Sequence, residues 1–112
     1  MAQPFLDDLR SLANRFVADS SGLDCKHFFS GAAMYSAGTI CVTLTPAGLA
    51  FKLSENTRVA LIENELAAEL RYFENAPVKK EYVVFSNPDS LEPNDARRYF
   101  AEAIVFASKR NG

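Results

Sequence analysis

The sequence predicts one α+β domain: an antiparallel sheet with helices on one face, in the order αβββαββα. Three observations carry that expectation. Apolar residues recur at a helical period in the first and last segments, they switch to a period of two in between, and turn-forming residues punctuate the switch.

The first helix is expected from Pro4 to about Asp19. Pro4 suits a first-turn position, and Asp7 and Asp8 lie where the helix dipole favours negative charge. Phe5, Leu9, Leu12 and Phe16 share one face, with Val17 beside them, and Ser20-Ser21-Gly22 ends the segment. From His27 the pattern alternates, giving three strands separated by Ala37-Gly38 and by Thr45-Pro46-Ala47-Gly48. A helix then starts near Ser54 with Glu55 in its first turn, and Val59, Ile62 and Leu66 form its apolar stripe, joined by Leu61. A fourth strand is expected at Glu69 to Phe73 and a fifth at Tyr82 to Phe85. The last helix begins near Asn94, turns Tyr99, Phe100, Ala103, Ile104 and Ala107 inward, and ends on Lys109-Arg110.

Turn lengths set the register. A two-residue turn at Ala37-Gly38 pairs Tyr35 with Ile40, Ala33 with Val42 and Gly31 with Leu44. A four-residue turn at Thr45 to Gly48 pairs Leu44 with Leu49, Val42 with Phe51 and Ile40 with Leu53. Those residues make one apolar face for the helices, with Gly31 and Ala33 letting a helix lie close. The opposite face then holds Phe28, Ser30, Ala32, Met34, Cys41, Thr43, Ala50 and Lys52, with one charge among the eight. A solvated face carries more charge than that, so this face is the expected contact for a second copy or another protein. The same register puts Cys25 about 30 Å along the strand from Cys41, too far to bridge.

The chain has 112 residues, net charge −2 and a pI near 5.3, which fits one domain and gives no concentrated positive field for direct nucleic-acid or membrane-surface binding. No apolar run approaches a spanning helix, and early Asp7, Asp8 and Arg10 do not read as a signal peptide, so a cytoplasmic location is expected. Two cysteines at this spacing form neither a disulfide scaffold nor a metal motif. Gly31, Gly38 and Gly48 are isolated, and no phosphate-cradling loop occurs.

Cys25 and His27 could face one side of a strand as nucleophile and base, or as two metal ligands, but neither an orienting third group nor further ligands are evident. The carboxylates at Asp7-Asp8, Glu63 with Glu65, and Glu92 with Asp95 each suit a dipole partner or a solvated charge. The basic doublets Lys79-Lys80, Arg97-Arg98 and Lys109-Arg110 are dispersed and balanced by neighbouring acids. No catalytic, cofactor or metal residues are expected. The function expected is binding.

Several segments together resemble the N-terminal domain of the TfoX/Sxy family. Lys26-His27-Phe28-Phe29-Ser30-Gly31-Ala32-Ala33-Met34-Tyr35 is similar to its basic-x-Met-Phe-Gly-Gly-x-Gly-Leu-Tyr opening hairpin, with Ser30 and Ala33 in place of glycines. Leu49-Ala50-Phe51-Lys52-Leu53-Ser54-Glu55 resembles its Leu-Tyr-Leu-Lys strand and acidic helix start. Lys80-Glu81-Tyr82-Val83-Val84 and the Ala103-Ile104-Val105-Phe106-Ala107 run follow in order. The resemblance covers about Phe5 to Arg110, and the family's second, C-terminal domain has no counterpart in this sequence. It implies bacterial competence regulation beside the cyclic-AMP receptor protein, a fold like the small acidic dimers of the type III secretion chaperones, and no catalytic residues. The leading expectation is thus a homodimeric regulatory domain that contacts a transcription protein. The alternatives are a chaperone-like module holding an extended segment, and an enzyme or ligand-binding protein centred on Cys25, His27 and Tyr35.

Overall fold

The computed structural model describes residues 4–19, 21–71 and 75–111. The elements run α1 (Phe5–Phe16), β1 (Leu23–Phe28), β2 (Gly31–Ser36), β3 (Thr39–Thr45), β4 (Gly48–Lys52), α2 (Glu55–Glu63), β5 (Ala68–Leu70), β6 (Lys79–Phe85), a 3-10 turn (Pro88–Ser90) and α3 (Pro93–Asn111). This is the expected α+β class with one more strand. The antiparallel sheet has six strands in the order β1-β2-β3-β4-β6-β5, so β6 enters between β4 and β5.

The extra strand comes from a turn at Phe29-Ser30. The segment expected as one strand from His27 folds back there, pairing Phe28 with Gly31 and Cys25 with Met34. Phe29 takes a left-handed conformation (φ 49°), uncommon for an aromatic residue and so absent from ordinary turn signatures. Gly31 serves this fold, though not by admitting a helix. A Cβ there would run into Leu44 O and Thr45 Cα, so the close neighbour is the backbone of β3.

The Ala37-Gly38 turn forms as expected, with positive φ at both residues, and it pairs Tyr35 with Ile40. Beyond it the register slips by one residue between Met34 and Tyr35. Met34 pairs with Val42, Ala33 with Thr43 and Ala32 with Leu44. Cys41 is the extra residue of this bulge. Because side chains alternate with a period of two, the slip turns over every residue of β2 beyond it. At the next turn Leu44 pairs with Leu49 and Val42 with Phe51, as expected, although Thr45 and Gly48 already pair and leave Pro46-Ala47 as the turn. Of the strand expected at Glu69 to Phe73, β5 covers Ala68–Leu70, and Tyr72 and Phe73 lie outside the described residues.

Helices α1 and α3 cover one side of the sheet. Leu9 and Ala13 of α1 and Tyr99, Phe100, Ala103 and Ala107 of α3 pack on Met34, Val42, Leu44, Leu49, Phe51 and Phe85. Phe51 is at the centre, its ring 5.1 Å from Phe100, 5.8 Å from Tyr99 and 5.9 Å from Phe85. Edge-on aromatic contacts of this kind add to the burial of large rings and fix how α3 lies across the sheet. Among the described residues no helix is long and apolar enough to cross a membrane.

Candidate partner-binding surface

The slip in β2 divides the eight residues expected on one face. Ala32, Met34 and Cys41 join the helix-side core. Thr43 and Ala50 lie on the second face with Ala33 and Val84, and Phe28 lies on that face of the β1 edge. Thr43, Ala50 and Ala33 are fully buried within the single chain. Lys52 lies nearly buried beside them, its Nζ 4.0 Å from Glu81 and 5.5 Å from the Tyr82 ring centre. Ser30 is at the exposed hairpin turn. The eight residues therefore do not form one exposed surface.

The thiols are brought closer than expected. Cys25 pairs with Met34 on one side of β2, and Cys41 Sγ lies 3.5 Å from Met34 O on the other. Two strand spacings put their Cα atoms about 10 Å apart, still beyond disulfide reach. Both are free thiols. Burial raises the Cys25 pKa, against a smaller lowering by Arg10 and a further raise by Asp24. Burial pushes Cys41 up to about 12, with Lys52 opposing and Cys25 adding. Both shifts favour the thiol over the nucleophilic thiolate. Cys25 and His27 face the helix side, whereas Tyr35 pairs with Asp24 on the opposite face and lies under Lys26 Nζ at 5.4 Å. Cys25, His27 and Tyr35 therefore do not converge.

A different surface emerges at α2. Ser54 Oγ approaches Glu102 of α3 at 3.1 Å, and Arg58 Nε donates to Leu53 O at 2.9 Å while its Nη1 donates to Lys80 O. These ties turn the Leu61 face inward, and Leu61 is the one buried residue of the helix. The apolar stripe of this helix points outward: Val59 is 44% exposed, Ile62 37% and Leu66 62%.

The helix ends in a Schellman turn. Leu66 N donates to Leu61 O at 2.9 Å and Glu65 N to Ile62 O at 3.0 Å, with Glu65 in the left-handed region (φ 59°). This turn projects Leu66 between two clefts. One, of about 470 Å³, is lined by Ile62, Ala67, Ala68, Val84 and Glu69. The other, of about 200 Å³, is lined by Phe85, Leu91, Asp95 and Tyr99. Glu63, Glu65 and Glu69 stand exposed around the ridge, and β5 beside it is an outermost strand of the sheet. A partner meets apolar side chains inside an acidic rim. By contrast α1 presents Asp7, Asp8, Arg10, Asn14 and Arg15 to solvent.

A larger groove of about 600 Å³ runs between α1 and the turns at Pro46 and Pro88, with Asp8, Arg15 and Asp89 on its walls. Its charges are of mixed sign and its mouth is open. Sequence reasoning missed the α2 surface because a stripe of three apolar residues on a short helix looks like a core face. The signal was present in Arg58 and Glu55, which leave such a helix only a narrow inward side. No protein-family model, curated protein or solved structure matches this chain.

Proposed function

We propose that this chain is a non-enzymatic, protein-binding regulatory domain of the kind the TfoX/Sxy resemblance implies, working in the cytoplasm as a homodimer that contacts a protein of the transcription machinery. The observation that supports it is the outward apolar stripe Val59, Ile62 and Leu66, with Leu66 between two clefts and Glu63, Glu65 and Glu69 exposed around its end. Exposed apolar side chains clustered in this way mark contact surfaces, at about 25 cal/mol per Å² of apolar area removed from water. The acidic rim selects a partner surface with apolar residues flanked by Lys or Arg, because like charge would be repelled.

The chaperone-like reading has its own support. β5 is an outermost strand beside the ridge, so an extended segment could add a strand there while its apolar side chains fill the clefts. The two readings differ in the conformation of the partner and share the surface.

Titration of the domain with purified cyclic-AMP receptor protein, with and without its DNA, tests the regulatory reading. Saturable binding without DNA supports it. Binding only through DNA, or none, removes that partner. Mapping the bound segment of whatever protein the domain captures then separates a folded docking surface from an extended strand.

A further inference from the structure

The outer edge of β1 carries a second interaction surface. We propose that β1 pairs antiparallel with β1 of a second copy, in the register centred on Cys25, so that the two six-stranded sheets become one through a twofold axis. This deepens the homodimer half of the function proposed above, and its test is independent of the α2 ridge.

The edge is structurally available. β1 is an outermost strand, bonded on its inner side to β2 over Leu23–Phe28. Among the described residues no backbone hydrogen bond reaches the outer side of Leu23 to His27. Ala37 N donates to Gly22 O at 3.0 Å, which places the bonded pairs of this hairpin at even-numbered residues of β1. The N–H and C=O groups of Leu23, Cys25 and His27 therefore point away from the sheet, ready for another strand.

Charge then selects the register. A twofold axis normal to the sheet keeps the helix-bearing faces together, and the outward groups must pair odd with odd. The strand can centre only on Asp24, Cys25, Lys26 or a residue nearer its ends. Centring on Asp24 sets Asp opposite Asp, and centring on Lys26 sets Lys opposite Lys; both are repulsive. Centring on Cys25 sets Asp24 opposite Lys26 of the second copy, and Lys26 opposite its Asp24. Both side chains are exposed on the same face of β1. Leu23 then faces His27 of the second copy.

The same register brings Phe29, 84% exposed at the hairpin tip, beside Ser21 and Gly22 of the second copy, where a small residue gives room. It also sets the two Cys25 residues opposite each other at about 5.5 Å between Cα atoms.

The test uses the full chain in sedimentation and light scattering, with circular dichroism to check folding. The wild type should be a dimer. Asp24→Lys puts Lys opposite Lys twice, and Lys26→Asp puts Asp opposite Asp twice. Each should raise the dimer dissociation constant about tenfold or more. The double variant Asp24→Lys/Lys26→Asp exchanges the partners and should restore the wild-type value. A short bismaleimide should join wild-type chains, and Cys25→Ala should abolish that product. A wild-type monomer overturns the proposal and makes Asp24 and Lys26 charges that keep a bare edge from pairing. A dimer unaffected by the single changes, or a double variant as weak as they are, also overturns it. None of these results bears on whether a partner binds the α2 ridge, because that is read from capture and not from chain mass.

Discussion

Thr43 is fully buried, and its hydroxyl has no hydrogen-bond partner among the described residues. An orphaned buried hydroxyl costs about 1–3 kcal/mol of desolvation without return. Thr43→Val keeps the shape and removes the oxygen, so it should raise stability by about 1 kcal/mol in urea unfolding at constant m-value; a loss would mean that the hydroxyl is satisfied. Cys41 gives a pH signature. Its pKa rises from an ordinary 9.0 to about 12 on folding, chiefly through burial. Between those values the folded state holds a proton that the unfolded chain has released. Stability should therefore be complete below about pH 9 and fall as pH rises toward 12, and Cys41→Ala should flatten that slope. The residue types of Thr43 and Cys41 were plain in the sequence. Their faces were not, since one bulge between Met34 and Tyr35 decides which side each neighbour takes.

At the scale of elements, local periodicity was legible and local exceptions were not. Helices α1 and α3 and the turn at Ala37-Gly38 follow from spacing and turn chemistry. The Phe29-Ser30 turn did not, because a bulky aromatic with positive φ contradicts every turn preference and is held there by pairing on both sides. The stripe of α2 was legible in the sequence, but the side it faces was not. A helix of nine residues with one buried side chain gives periodicity too little to decide between core and contact surface. Its end offers a clean test. Glu65 occupies a left-handed position that favours glycine. Glu65→Gly should stabilise the domain by about 0.5–1 kcal/mol in thermal unfolding, and a loss would mean that the Glu65 side chain makes a compensating contact.

For the molecule as a whole, the insertion of β6 between β4 and β5 is the feature furthest from the sequence. Strand neighbours separated by a helix and a strand leave no turn signature, so only packing selects them. That packing converges on Phe51, where β4, β6 and α3 meet. The same topology leaves β1 and β5 as the two outermost strands, one with self-complementary charge and one beside an apolar ridge. A domain with two such outermost strands can pair with itself at one and hold another protein at the other. Side-by-side capture with tagged wild type and Leu66→Glu decides whether the α2 ridge is the partner surface. Leu66 is 62% exposed, so the fold should survive and circular dichroism should not change. The wild type should retain a protein that survives nuclease treatment, and Leu66→Glu should retain at least tenfold less of it. Equal retention by both would rule out the α2 ridge and move the contact elsewhere on the domain.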